Sequence, residues 1–284
     1  MSRPPVNYGP QDIALANEIL RSVVGSGVHG VAIAGTDDHD EMGVFVEPRV
    51  HVYGLREPIG HHVRRTRAEG ERSGPGDTDL IVYGLRRYLR LATKGNPTAL
   101  LPLFAPPSAL LVCTDLGHSL RALRTAFLSQ EAVRRFLGYM RRQHERMLTG
   151  PGRPELVAAH GWDTKFGAHA VRLARQGLQI ASSGSLTLPL PAPDRELVLA
   201  VKRGEVPREE VSALVVDHGR RIVDRLDSGS CALPPGPRLD LIEAWSVRAH
   251  EQFWDSERGC PAGSSDSRPD GSVERTNGGD RTKS

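Results

Sequence analysis

Residues 38–46 read Asp-His-Asp-Glu-Met-Gly-Val-Phe-Val, an acidic half that runs without a break into an apolar half. Pro48 closes the run, and a short strand over 38–46 is expected. Side chains on a strand alternate, so Asp38 and Asp40 share one face while His39 and Glu41 take the other. Two carboxylates side by side repel each other, and a hard divalent cation between them removes that repulsion. A strand of this kind marks a place where the fold has to hold charge.

The rest of the chain divides into two parts. Before the acidic strand, apolar spacing predicts a helix over 12–21, running into a short strand over 20–24 that stops at Gly25-Ser26. After it, residues 59–78 are polar, Gly-rich and carry Arg64, Arg65, Arg67 and Arg72, which reads as a mobile basic loop. Asp79 to Val82 reads as a further strand that passes directly into a helix closed by Gly95-Asn96-Pro97. From there amphipathic helices dominate: 129–147 with Ser129 as N-cap, 163–180 with Asp163 as cap, 194–203, 207–226 and 239–254. The expected organisation is a small α/β unit over 1–115 and a helical unit over 116–256. Residues 257–284, almost without apolar side chains, are expected to form a disordered tail.

Composition excludes several classes. With 38% hydrophobic and 25% charged residues the chain can bury a core, and a net charge of +3 is too small for a nucleic-acid coat protein. No apolar run approaches the ~20 residues of a membrane span, and the N-terminus lacks a secretory h-region. Three scattered cysteines without a CxxC exclude a disulfide scaffold and a thiolate zinc site, and suit a reducing cytoplasm. There is no Gly-x-Ser-x-Gly elbow, no dinucleotide fingerprint and no Walker pattern.

Around the acidic strand, candidate ligands accumulate. Gly25-Ser26, at a strand-to-helix turn, offers backbone N–H groups and a hydroxyl to a phosphate. Asp79 can add a third carboxylate, with Asp77 as its rival. Three carboxylates on adjacent strands can hold two Mg²⁺ (or Mn²⁺) ions about 3.5–4 Å apart, a clamp for in-line attack on an α-phosphate. Lys165, His169 and Arg172 fall at i, i+4 and i+7, one stripe that is either a solvated face or the cationic wall of a cleft. His61 and His62 are adjacent and point oppositely on a strand, so a transition-metal pair is not expected there. The arginine run of the basic loop is either solubilising or a guide for a polynucleotide.

These residues resemble the nucleotidyltransferases of the DNA polymerase beta superfamily, in particular a bacterial and phage branch of which some members are associated with RNA repair. The matching residues are Gly25, Ser26, His29, Gly30, Asp38, Asp40, Gly43 and Val44, then Asp79, Tyr83, Leu85, Arg86, Arg87, Leu89, Gly95, Asn96 and Pro97. In the helical half they are Gly161 to Lys165, His169, Arg172, Leu173 and Leu186 to Pro189. The resemblance covers most of 20–226. Asp37 stands where the branch more often has Ser, Gly27 where a larger residue is common, and Arg87 in place of a usual Lys.

The resemblance implies a small mixed nucleotidyltransferase sheet with flanking helices, followed by an α-helical domain. It implies Mg²⁺- or Mn²⁺-dependent transfer of a nucleotidyl group from an NTP to a hydroxyl of an RNA end or a protein, with release of pyrophosphate. Asp38, Asp40 and Asp79 would be the catalytic metal ligands. Gly25 and Ser26 would hold the β- and γ-phosphates, with Lys165, His169 and Arg172 as further nucleotide-binding residues. The alternatives are a nucleotide- or RNA-sensing module without turnover, and an antitoxin-like protein adenylyltransferase.

Overall fold

The computed structural model describes residues 5–35, 37–68, 74 and 76–259. In chain order the first part contains β1 (Pro5–Tyr8), α1 (Gln11–Ala16), β2 (Glu18–Val23), α2 (Gly25–His29), β3 (His39–Phe45), α3 (Arg49–Val52), β4 (His61–Ala68), β5 (Thr78–Gly84), α4 (Leu85–Thr93), α5 (Leu101–Phe104) and β6 (Leu110–Cys113). The second part contains α6 (Asp115–Ala122), α7 (Gln130–Thr149), α8 (Pro154–His160), α9 (Thr164–Ser183), α10 (Ala192–Lys202), α11 (Arg208–Asp227) and α12 (Leu239–Gly259).

The strands form one mixed sheet in the order β1-β4-β5-β3-β2-β6. β3 and β5 are parallel, and every other neighbouring pair is antiparallel. Thus an α/β sheet with flanking helices is followed by helices alone, the architecture the sequence pattern anticipates. One apolar cluster, including Val44, Tyr88, Phe127, Phe136 and Val171, fills the space between sheet and helices. A smaller one, with Ala14, Phe45, Ile59, Leu80 and Val82, lies beneath α1 on the other face.

Three expectations need correction. The helix expected over 12–21 stops at Ala16. Asn17 then donates through Nδ2 to the Val46 carbonyl and accepts from the Val46 amide, so the chain leaves the helix and enters β2 as a partner of β3. The stretch 59–78, expected as a mobile loop, contains strand β4. Its charges are cross-strand contacts: Arg67 pairs with Asp79, and Thr66 donates to Asp77. Residues 69–73 and 75 of that stretch lie outside the described residues. Pro207 is the N-cap of α11 instead of its first helical residue.

The remaining helices behave as their sequences dictate. Ser129 Oγ accepts from the Ala132 amide and opens α7, whose Arg134, Arg135, Arg141, Arg142 and Arg146 face solvent. Gly95, at φ +65°, turns the chain after α4, and a Cβ there would run into the backbone of Ala132 in α7. The final helix runs through Gly259, past the position at which a tail was expected to begin, and residues 260–284 lie outside the described residues. No helix among the described residues is long and apolar enough to cross a membrane.

Candidate active site

The register of β3 against β5 sets Asp40 directly opposite Asp79. In a parallel pair, residues in register point to the same face, so both carboxylates project together, and Asp38 joins them two residues upstream. Oxygens of Asp38, Asp40 and Asp79 lie within 4.8 Å of one another. Asp77 takes no part: its carboxylate accepts from Thr66 and from the Gly74 amide.

Asp40 carries the strain of this convergence. Burial raises its pKa to about 6, with Asp38 and Asp79 adding to the rise and Arg67 and His39 opposing it. Only oxygen donors converge here, which suits a hard divalent cation such as Mg²⁺ or Mn²⁺ better than a soft metal. Arg67, on β4, donates to both oxygens of Asp79 at 2.7 Å each, and Arg65 stands opposite Asp79 in the β4–β5 register.

The Gly25-Ser26 turn is built against the triad. The Val24 amide donates to the Asp40 carbonyl at 2.8 Å, and Gly25 has φ +60°. A Cβ at Gly25 would collide with Asp40 Oδ2, so both the conformation and the close approach require glycine. On the opposite face of β3, Glu41 pairs with Arg21 and His39. Glu18, sharing Arg21, is raised to about 7 by burial, against the pull of Arg21.

Asp37, the residue that crowds a third negative charge beside the pair, turns away from it. Its carboxylate accepts from the Ile33 amide and from Lys202 Nζ at 2.9 and 3.1 Å. Lys165 Nζ lies 3.8 Å from the same carboxylate. At the other end of the stripe, Arg172 Nη1 donates to His29 Nε2 at 2.7 Å and to Gln176 Oε1 at 3.0 Å. α9 therefore lies along the α2–β3 connection, with Lys165 at its Asp37 end and Arg172 at its His29 end.

Burial lowers Arg172 to about 10, and no carboxylate among the described residues pairs with it. His29 is held well below its ordinary range by burial, then by Arg172 and His169. His169 keeps solvent-exposed surface while protein crowds its ring. The surrounding protein, tempered by that exposure, and then Arg172, Arg153, Arg146 and Lys202 push its pKa down. Asp163 is the cap of α9, accepting from the Lys165 and Phe166 amides, and also pairs with Arg153 at 2.7 Å.

Sequence reasoning brought together the three aspartates and the glycine turn, and it missed Arg67 and Lys202. Arg67 was in view only as one charge of a loop, and the signal that identifies it, a position on the strand beside Asp79, appears only with the register. Lys202 closes α10, far along the chain, and no local pattern ties it to Asp37.

Residues 14–220 match a family model described as the RNA repair pathway DNA polymerase beta family. A solved structure of a nucleotidyltransferase-like protein from Exiguobacterium sibiricum 255-15 is similar at 10% identity, over 88% of this chain and 78% of that one, with a TM-score of 0.28. No curated protein matches the chain.

Proposed function

Because the chain belongs to the RNA repair pathway DNA polymerase beta family, we propose that it moves a nucleotidyl group from a nucleoside triphosphate to a hydroxyl acceptor, an RNA end in the first place. The observation that carries this reading is the convergence of Asp38, Asp40 and Asp79 within 4.8 Å beside the Gly25-Ser26 turn.

In this reaction the acceptor oxygen bonds to the α-phosphorus, the bond from that phosphorus to the β-bridging oxygen breaks, and pyrophosphate leaves. Asp38, Asp40 and Asp79 would hold a divalent cation, Mg²⁺ or Mn²⁺. When bound, such a cation neutralises charge on the reacting phosphate and makes the acceptor hydroxyl easier to deprotonate. Asp79, at the β4 side of the triad, would take the acceptor proton, and Arg67 would have to free one of its oxygens for that. Gly25 and Ser26 would receive the β- and γ-phosphates. Arg172, a cation without a carboxylate partner among the described residues, and Lys165 would meet the triphosphate from α9, and His169, as a neutral ring, would line the space between them. The catalytic gain would come from positioning and charge neutralisation. Cys113 and Cys231 are free thiols, which suits the cytoplasm as the compartment of the reaction.

Calorimetry with Mg²⁺ and ATP tests the reading. Asp38→Asn combined with Asp40→Asn is expected to abolish Mg²⁺-dependent nucleotide binding while the circular dichroism spectrum stays native. A double variant that binds Mg-ATP as tightly as the unaltered chain would place the site elsewhere.

A further inference from the structure

Asp79 is the member of the triad on β5, and β5 is followed in the sheet by β4 and then β1, away from α9 and its cations. An acceptor that reaches Asp79 without crossing the nucleotide must come from the β4 side. On the triad's face, the β4–β5 register sets Arg65 opposite Asp79, Val63 opposite Ile81 and His61 opposite Tyr83. A line of side chains thus leads from Arg67 and Arg65 to His61, and the four-residue step from Arg65 to His61 spans about 13 Å.

At its far end the line meets a cleft of about 920 Å³ at the end of the sheet, lined by Tyr8, His61, Arg86, Arg87 and Arg90 and floored by Ile13 and Ile59 from the α1 side. Arg87 Nη1 donates to His61 Nδ1 at 3.0 Å, and its guanidinium lies 5.7 Å from the centre of the Tyr83 ring. The His61 and Tyr83 rings are 6.1 Å apart. Tyr8, opposite Val63 on β1, keeps 49% of its surface exposed. Burial, Arg87 and then His62 hold His61 below its ordinary pKa, which leaves the ring neutral to accept from Arg87. Arg86, Arg87 and Arg90 are exposed, and none of them pairs with a carboxylate among the described residues, although Glu47 and Glu57 also line the cleft.

Guanidiniums at both ends with flat rings between them match a chain of phosphates and bases. A protein acceptor presents one hydroxyl and gives no reason for Arg86, Arg87 and Arg90 to stand together without a carboxylate partner among the described residues, at the far end of a line whose near end, Arg67 and Arg65, is held by Asp79. We infer that the acceptor is a single-stranded polynucleotide whose terminal segment lies along β4, its end at Asp79 and its preceding phosphates in the Arg86–Arg87–Arg90 cleft. This inference rests on the nucleotidyl-transfer reading and adds the acceptor's path to it. At ~3.4 Å per stacked nucleotide the track holds about four nucleotides.

The test is anisotropy of the full chain with fluorescein-labelled oligouridylates of about three and about ten nucleotides, the first shorter than the ~13 Å track and the second longer. Mg-ATP binding is followed by calorimetry in parallel. The longer oligomer is expected to bind much more tightly than the shorter. Arg86→Glu with Arg90→Glu is expected to weaken the longer one at least tenfold and to flatten its log K against log salt slope by about 0.7 for each phosphate no longer neutralised. The same variant should leave Mg-ATP affinity unchanged, and Arg134→Glu with Arg141→Glu, on the solvent face of α7, should leave both unchanged. The inference is overturned if the cleft variant holds the longer oligomer as before, or if the unaltered chain binds Mg-ATP and no oligomer. If the oligomer binds in a cleft-dependent way while Mg-ATP does not bind at all, the track stands and the transfer reading falls.

Discussion

Each carboxylate of the triad has a different neighbourhood, and that difference is measurable. Asp40, at about pKa 6, must lose its proton before it can ligate a cation. Below pH 6 the proton competes, so Mn²⁺ affinity falls about tenfold for each unit of acidification and levels off above it. Arg67 competes in a second way, through its two 2.7 Å bonds to Asp79. Hydrogen bonds to charged groups contribute about 1.5–3 kcal/mol, so Arg67→Ala is expected to bind Mn²⁺ about tenfold more tightly above pH 7. Because Arg67 also lowers the Asp40 pKa, the same variant should move the acid limb of the curve upward. Titration of Mn²⁺ by electron paramagnetic resonance reads both effects, and an unshifted limb with weaker binding would show that Arg67 supports the cation instead of competing with it. Asp38, Asp40 and Asp79 were legible in sequence because strand alternation and spacing are local. Arg67 was not, because its partner lies twelve residues away on another strand.

At the scale of elements, α9 is the piece on which the nucleotide reading of the helical half depends. Its cap at Asp163 and its apolar face were legible from period and capping residue. What its polar stripe faces was not, since nothing local says which connection a helix will cover. The structure sets Arg172 against His29 and Gln176, both neutral partners, and not against Asp163. Arg172→Ala removes a desolvated cation without breaking an ion pair among the described residues, but it takes one hydrogen-bond partner each from buried His29 and Gln176, so a stability loss on the order of 1–3 kcal/mol is expected beside the loss of binding. ATP affinity should fall at least tenfold, as expected for the removal of a charge-assisted hydrogen bond of ~1.5–3 kcal/mol. Unchanged ATP affinity would leave the stripe without a ligand. Sequence reading did not find strands β1, β4 and β6, and of these β4 is the one beside the triad. Its run of arginines carries the composition of a loop, while its pairing is set by β5 and by carboxylates on other strands.

Among the described residues, the helical part is closed by α12. Trp254, 5% exposed, donates through Nε1 to the Glu47 carbonyl at 3.0 Å, and its ring meets Tyr53 edge-on at 5.6 Å. α12 thereby packs onto α4 and onto the corner after β3. Replacing a buried tryptophan by alanine costs about 3–5 kcal/mol. Trp254→Ala should show that destabilisation in urea unfolding, and a change below about 1 kcal/mol would mean that α12 rests on the sheet side without holding it. Strands β2, β3 and β5 and helices α4, α7, α9, α10, α11 and α12 were legible in outline; the docking of α12 was not, because packing between residues so far apart in sequence leaves no periodic trace.

The central claim, that the triad moves a nucleotidyl group onto an acceptor, is tested most directly by label transfer. The chain is incubated with α-³²P-labelled nucleoside triphosphates, Mg²⁺ or Mn²⁺, and separate pools of cellular RNA and cellular protein. Label is expected in the RNA pool, dependent on the metal and absent with Asp38→Asn/Asp40→Asn. Label in neither pool, or equal label from the double variant, would contradict the account.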